Sequence, residues 1–102
     1  MAQFDVYRNP KRGAFPLLLD VQADLLASLA TRVVVPMTKI DRRTPKPITR
    51  LNPTATIDGV QYSLVFQELA AVPTSALGER VASLRPRRGE LLTAWDLLFT
   101  GV

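Results

Sequence analysis

The chain has 102 residues, 47% of them hydrophobic, and a formal net charge of +4. That length makes one domain, residues 1–102, able to bury roughly two thirds of its unfolded surface, and no apolar run approaches the roughly 20 residues that span a bilayer. With no cysteine and no histidine there is no disulfide, thiol nucleophile, Ser-His pair, imidazole base or ordinary zinc site, so no metal ligand is expected and only carboxylates, Arg, Lys, Tyr and hydroxyls remain for chemistry.

The N-terminal MAQFDVYRNP has neither the basic segment nor the apolar stretch of a signal peptide, and a cytoplasmic location is expected. Phe4 and Val6 alternate with Gln3 and Asp5, the period of a strand with one buried face. A basic turn, RNPKRGAF, follows, punctuated by Pro10 and Gly13. Leu17, Leu18, Leu19 and Val21 then predict a denser strand, and Val33, Val34, Val35 and Met37 another; continuous runs of this kind suit strands buried on both faces. Asp20 and Asp24 close the first of these runs, and solvated strand-end carboxylates are the expectation for them.

Residues 39–50, KIDRRTPKPITR, carry two prolines and five basic residues without apolar periodicity, which predicts an exposed loop. Next, Asp58-Gly59 stands between Thr56-Ile57 and the alternating Val60, Tyr62, Leu64 and Phe66, predicting a two-residue β-hairpin because Asp-Gly supplies the positive φ angles of its turn. From Glu68, Pro73 and Gly78 break any long helix, and Val81 and Leu84 are placed to close the sheet. Pro86 then offers the fixed φ of a helix's first turn. Leu91, Leu92, Trp95, Leu98 and Phe99 recur at i, i+1, i+4, i+7 and i+8, one face of a helix that packs on the core with Trp95 inside it. Gly101 stands where a left-handed cap belongs.

The basic residues fall in three groups: Arg8, Lys11 and Arg12; Lys39 to Arg50; and Arg85, Arg87 and Arg88. Such charge favours acidic partners, phosphates or carboxylate-rich protein segments, without choosing between them. The nine acids are spread along the chain rather than grouped as a magnesium site requires.

Several stretches, taken in order, resemble the CcdB family of plasmid-addiction toxins. They are Met1 with Gln3-Phe4 and Val6-Tyr7, Leu19-Asp20-Val21-Gln22 with Asp24, and Arg32 with Val34, Val35, Pro36 and Met37. They continue through Ala71-Val72-Pro73, Ser75, Gly78-Glu79, Val81-Ala82 and Leu84 to Leu98-Phe99 and Gly101-Val102. The resemblance implies a mainly β, α+β fold: an SH3-like β-barrel of the CcdB/Kid/MazF type, an antiparallel sheet with a C-terminal α-helix, assembled as a homodimer. It also implies a protein that is not an enzyme, with no catalytic residue and no cofactor. CcdB toxins bind the A subunit of bacterial DNA gyrase while it holds cleaved DNA, poisoning the topoisomerase in the service of plasmid maintenance. A CcdA-like antitoxin with an acidic disordered C-terminal segment neutralises them. No membrane and no direct sequence-specific nucleic acid contact are implied.

Carried over position by position, the gyrase-binding residues are Leu25, Leu26, Asp96, Phe99, Thr100, Gly101 and Val102, while Arg42, Arg43 and Arg50 are candidates for the acidic antitoxin. Thr100 departs from the family, whose terminal tryptophan stacks on a gyrase arginine, a contact worth about 0.5 to 2 kcal/mol. Asp96 stands where the family usually has Asn. Two alternatives stay open at this stage: an endoribonuclease toxin of the MazF and Kid type on the same fold, with residues 39–50 holding RNA phosphates, or a non-toxic homologue that binds antitoxin as a decoy.

Overall fold

The computed structural model describes residues 2–11 and 13–101. Among them are strands β1 (Asp5–Arg8), β2 (Leu17–Asp20), β3 (Thr31–Lys39), β4 (Thr54–Ile57), β5 (Val60–Leu64), β6 (Ala70–Pro73) and β7 (Arg80–Ser83), and one α-helix, α1 (Arg88–Thr100). All strand pairings are antiparallel, in the order β4-β5-β3-β2-β1-β7, with β6 added on β3.

The long β3 explains the curl of this sheet. One edge runs beside β2, from Leu17 opposite Met37 to Asp20 opposite Val34. The other edge is shared: its first half pairs with β6 from Thr31 opposite Pro73 to Val34 opposite Ala70, and its second half with β5 from Met37 opposite Leu64 to Lys39 opposite Tyr62. Pro36, which has no amide proton to give a ladder, falls where one partner ends and the other begins. A bulge between Val6 and Tyr7 interrupts the β1–β7 register and adds local twist at the opposite edge. The result is a half-barrel whose concave side holds Val6, Leu19, Val35, Met37, Leu64 and Phe66, all nearly inaccessible to solvent.

Residues 54–64 form the expected hairpin, with Asp58 at φ 50 and Gly59 at φ 78, the pair of left-handed residues a type I′ turn requires. α1 lies over the short 3-10 turn Phe66–Glu68 and closes the barrel mouth by burying Leu91 and Ala94. Pro86 belongs to a preceding 3-10 turn, Arg85–Arg87, rather than to α1 itself.

Three sequence expectations are revised. Asp5 is buried rather than facing water, because its carboxylate accepts from Arg80 Nε at 3.1 Å, from Ala2 N–H at 3.1 Å and from the Tyr7 hydroxyl at 3.4 Å. Asp20 is not a solvated strand end: it and Arg32 are both fully buried and ion-paired. Trp95 is not in the core. It is 40% exposed, because α1 packs on the core through Leu91 and Ala94 with Leu92 and Leu98 partly buried beside them, and the flank carrying Trp95 and Phe99 is left uncovered.

Candidate partner-binding site

Between β2 and β3 the chain makes an excursion in which residues 23–31 are all exposed. A 3-10 turn, Asp24–Leu26, buries none of its side chains, so Leu25 stands 92% exposed, with Leu26 and Leu29 about half exposed. Large aliphatic side chains grouped in this way on one loop make an exposed apolar patch, the kind of surface that partners use. Asp24 fixes the base of the turn: its Oδ1 accepts the Gln3 N–H at 2.6 Å, and its Oδ2 lies 3.6 Å from Arg85 Nη2 at the approach to α1.

The other candidate residues lie on α1 and at its end. Trp95 and Phe99, one turn apart, stack with ring centroids 4.5 Å apart and planes inclined by 35°, and Phe99 is more than half exposed. Thr100 Oγ1 donates to the Asp96 carbonyl at 2.6 Å, so its hydroxyl is spent within the helix. Gly101 takes φ 74 and donates its N–H to the Leu97 carbonyl at 3.1 Å, a left-handed cap that a β-carbon would strain. Val102 lies outside the described residues. Between loop and helix is a hollow of about 300 Å³ whose walls include Gln3, Val21, Ala23, Leu92, Trp95 and Asp96. The structure therefore brings Asp96 opposite the start of the leucine turn, with Phe99, Thr100 and Gly101 continuing along the exposed end of α1.

A second concavity, about 1160 Å³, lies at the other end of the same strands, where Arg8, Leu17 and Met37 are in register. Arg8, Lys39 and Arg43 line it, with Thr38, Thr44 and Tyr62. The Asp41 carboxylate, also in its wall, is turned to its own loop, accepting the N–H groups of Arg43 at 2.7 Å and Thr44 at 3.2 Å. Of the three arginines singled out for the antitoxin, all are exposed, but only Arg43 lines this groove; Arg42 and Arg50 stand elsewhere on the loop. Tyr7 is no candidate base: burial, then the negative charges of Asp5 and Asp20, push its phenol up, so it stays protonated.

Sequence reasoning missed Trp95, Leu29 and Gln22. The i, i+4 pairing of Trp95 with Phe99 was the available signal for the first; Gln22 carries none, and its part emerges only from its hydrogen bonds.

The chain matches the family described as CcdB protein over residues 3–101. Among solved structures it is similar to an endoribonuclease in complex with its cognate antitoxin from a mycobacterial species, at 17% identity over 96% of this chain and 93% of that one, with a TM-score of 0.74. An endoribonuclease from a mycobacterial species matches at 16% identity over 96% and 89%, with a TM-score of 0.73. The Mycobacterium tuberculosis toxin MazF-mt6 matches at 13% identity over 93% and 94%, with a TM-score of 0.70. At these identities the likeness is one of fold.

These neighbours correct one expectation. A protein that is not an enzyme was expected, and endoribonucleases built on the same fold overturn that inference. That expectation came from the family resemblance alone: without His or Cys the chain still has carboxylates, guanidinium groups, phenols and hydroxyls, which suffice in kind for acid–base and electrostatic catalysis.

Proposed function

The chain belongs to the CcdB family, the toxins of toxin–antitoxin pairs, and from that premise we propose that its target is the A subunit of DNA gyrase, engaged while the enzyme holds cleaved DNA. The observation that carries this reading is the exposed apolar surface formed by the leucine turn and the aromatic end of α1, at the positions the family uses for gyrase. Fully burying a leucine as exposed as Leu25 contributes roughly 1.5 to 3 kcal/mol, so the turn by itself supplies substantial affinity. Thr100 offers no aromatic face, but Phe99 beside it and Trp95, more than one turn back along the helix, present two, and an arginine stacked on either gains about 0.5 to 2 kcal/mol. Asp96 beside them adds a carboxylate suited to the same basic partner. A toxin seated in this way holds the cleaved complex and prevents resealing. In this reading an acidic antitoxin segment is drawn to the basic loop at Arg42, Arg43 and Arg50, and the toxin works as a homodimer in the cytoplasm.

A second reading has its own support in the groove lined by Arg8, Lys39 and Arg43. Lys39 and Arg43, with Arg8 held 3.8 Å from Glu79 in the same wall, beside the hydroxyls of Thr38, Thr44 and Tyr62 suit RNA phosphates, and the similar solved structures include endoribonucleases. The test separates the two. Purified protein is incubated with gyrase and supercoiled plasmid, the products are trapped with detergent and protease, and an RNA substrate is followed in parallel. Linear DNA with intact RNA is the expected result; cut RNA without linear DNA overturns the gyrase reading in favour of the second. Neither product identifies a decoy that retains only the antitoxin surface.

A further inference from the structure

The leucine turn poses a physical problem. Residues 23–31 bury no side chain, so hydrophobic packing does not hold them, yet they form a defined turn with Leu26 N–H on the Ala23 carbonyl at 2.9 Å, Ala27 N–H on Asp24 at 3.0 Å and Leu29 N–H on Leu26 at 3.1 Å. Isolated turns of this kind, with their backbone bonds open to water, are the least stable parts of a fold.

Beneath the turn is a buried polar bracket. Gln22, 7% exposed, donates from Nε2 to the Leu26 carbonyl at 2.9 Å and accepts the Val33 N–H on Oε1 at 3.1 Å. The chemistry of the two partners fixes the orientation of the amide, since a carbonyl can only accept and an N–H only donate. The Gln22 N–H itself donates to Asp20 Oδ1 at 2.9 Å, and Asp20 Oδ2 accepts from Arg32 Nε at 3.0 Å and from Arg32 Nη2. One amide side chain thus ties the carbonyl of a docking leucine to β3, while its own backbone is anchored to a fully buried ion pair that joins the end of β2 to the start of β3.

We propose that Gln22 is a positioning residue: it holds Leu25 and Leu26 in the geometry in which a partner meets them, touching no partner itself. Rigid presentation of this kind raises affinity by removing the ordering cost from the binding step. Asp24 and Thr74 assist from outside, the first through Gln3 and Arg85, the second by donating both its N–H and its hydroxyl to the Ala30 carbonyl at 2.9 Å. These contacts are exposed; the bonds made by Gln22 to Leu26 and Val33 start from a buried side chain.

The affinity part of this inference rests on the gyrase reading, and the experiment keeps the two apart. Gln22→Met preserves length and removes both side-chain bonds. Amide exchange of Leu26, Ala27 and Leu29 is expected to quicken about tenfold, the loss of one to two hydrogen bonds, while Val35 and Met37 in β3 keep their protection. Affinity for the gyrase A subunit is expected to fall by about the same factor. Val35→Ala, a core variant that lowers stability without touching the bracket, is expected to leave affinity unchanged, which a merely structural role for Gln22 does not predict. Should Gln22→Met fail to fold, Gln22→Asn keeps an amide at the site but falls one methylene short of both partners. Unchanged exchange in the turn overturns the positioning role. Faster exchange with undiminished affinity overturns its link to docking. Wild-type protein without gyrase affinity sinks the gyrase reading alone, the exchange arm still deciding whether Gln22 holds the turn.

Discussion

Replacing Arg32 with Met tests the bracket at its root. Burial pushes the Asp20 carboxyl up, and Arg32 is the main influence holding it down, with the Gln22 N–H assisting. Met fills most of the space of the arginine stem but leaves a carboxylate with no solvent and no counter-charge, so the carboxyl must protonate on folding. Keeping a group with an ordinary value near 3.9 protonated at pH 7 costs about 1.4 kcal/mol per pH unit over roughly three units, or about 4 kcal/mol. That agrees with the 3 to 5 kcal/mol typical of removing one partner from a buried pair. The sign follows from the raised folded value: the folded state binds the proton more tightly, so this contribution to stability is fully present below the unfolded pKa and is lost as pH rises towards the folded one. Urea denaturation of wild type and variant at pH 7 and pH 4.5 reads it directly. A gap of about 4 kcal/mol at pH 7, shrinking to about 1 at pH 4.5, is expected. A gap that is the same at both pH values refutes the reasoning, because the loss is then one of packing and not of charge.

Four further outcomes are expected. Thr100→Trp increases gyrase poisoning, by up to about tenfold if the added ring stacks on an arginine; equal activity of the two proteins in the cleavage assay shows that position 100 does not touch gyrase. Removing Gly101 and Val102 abolishes gyrase binding with little change in thermal stability, since the buried contacts of α1 are made by Leu91 and Ala94; calorimetry of binding and melting separates these effects. Trp95→Ala and Phe99→Ala each weaken gyrase binding by about 1 kcal/mol or more, with Trp95→Ala costing less stability than a core tryptophan would; full affinity in both removes the aromatic contact from the proposal. Charge reversal at Arg42, Arg43 and Arg50 weakens antitoxin binding and flattens its salt dependence, and an unchanged slope excludes the basic loop.

Local chemistry made part of this molecule legible in advance. Asp58-Gly59 declared its hairpin because few residues take two successive positive φ angles, and Gly101 declared its cap for a similar reason. The apolar runs at Leu17–Leu19 and Val33–Val35 declared central strands. What stayed hidden depends on distant partners. Asp20 looks like any strand-end carboxylate until Arg32, twelve residues on, is found folded against it. β6 (AAVP) has neither alternation nor length, and becomes a strand only because β3 offers it an edge. Helical periodicity put Trp95 on the apolar stripe correctly, but the width of that stripe exceeds the contact α1 makes. For the candidate site, the leucines and the helix end were visible by position, whereas Gln22 is an ordinary polar letter whose role exists only in three dimensions.

The clamp on Asp24 splits the assembly of the turn into an early and a late stage. Its partners are Gln3 and Arg85, and the sheet beside it is finished only when β7 reaches back to β1, pairing Ser83 with Asp5. Chains emerge from the ribosome N-terminus first, at about 5 to 20 residues per second, so the Gln22 bracket, built wholly from residues 20–33, closes ahead of the outer clamp of Asp24 on Arg85, which waits for the end of the chain. A chain cut short before Arg85 keeps the residues of the bracket but lacks the outer clamp and α1.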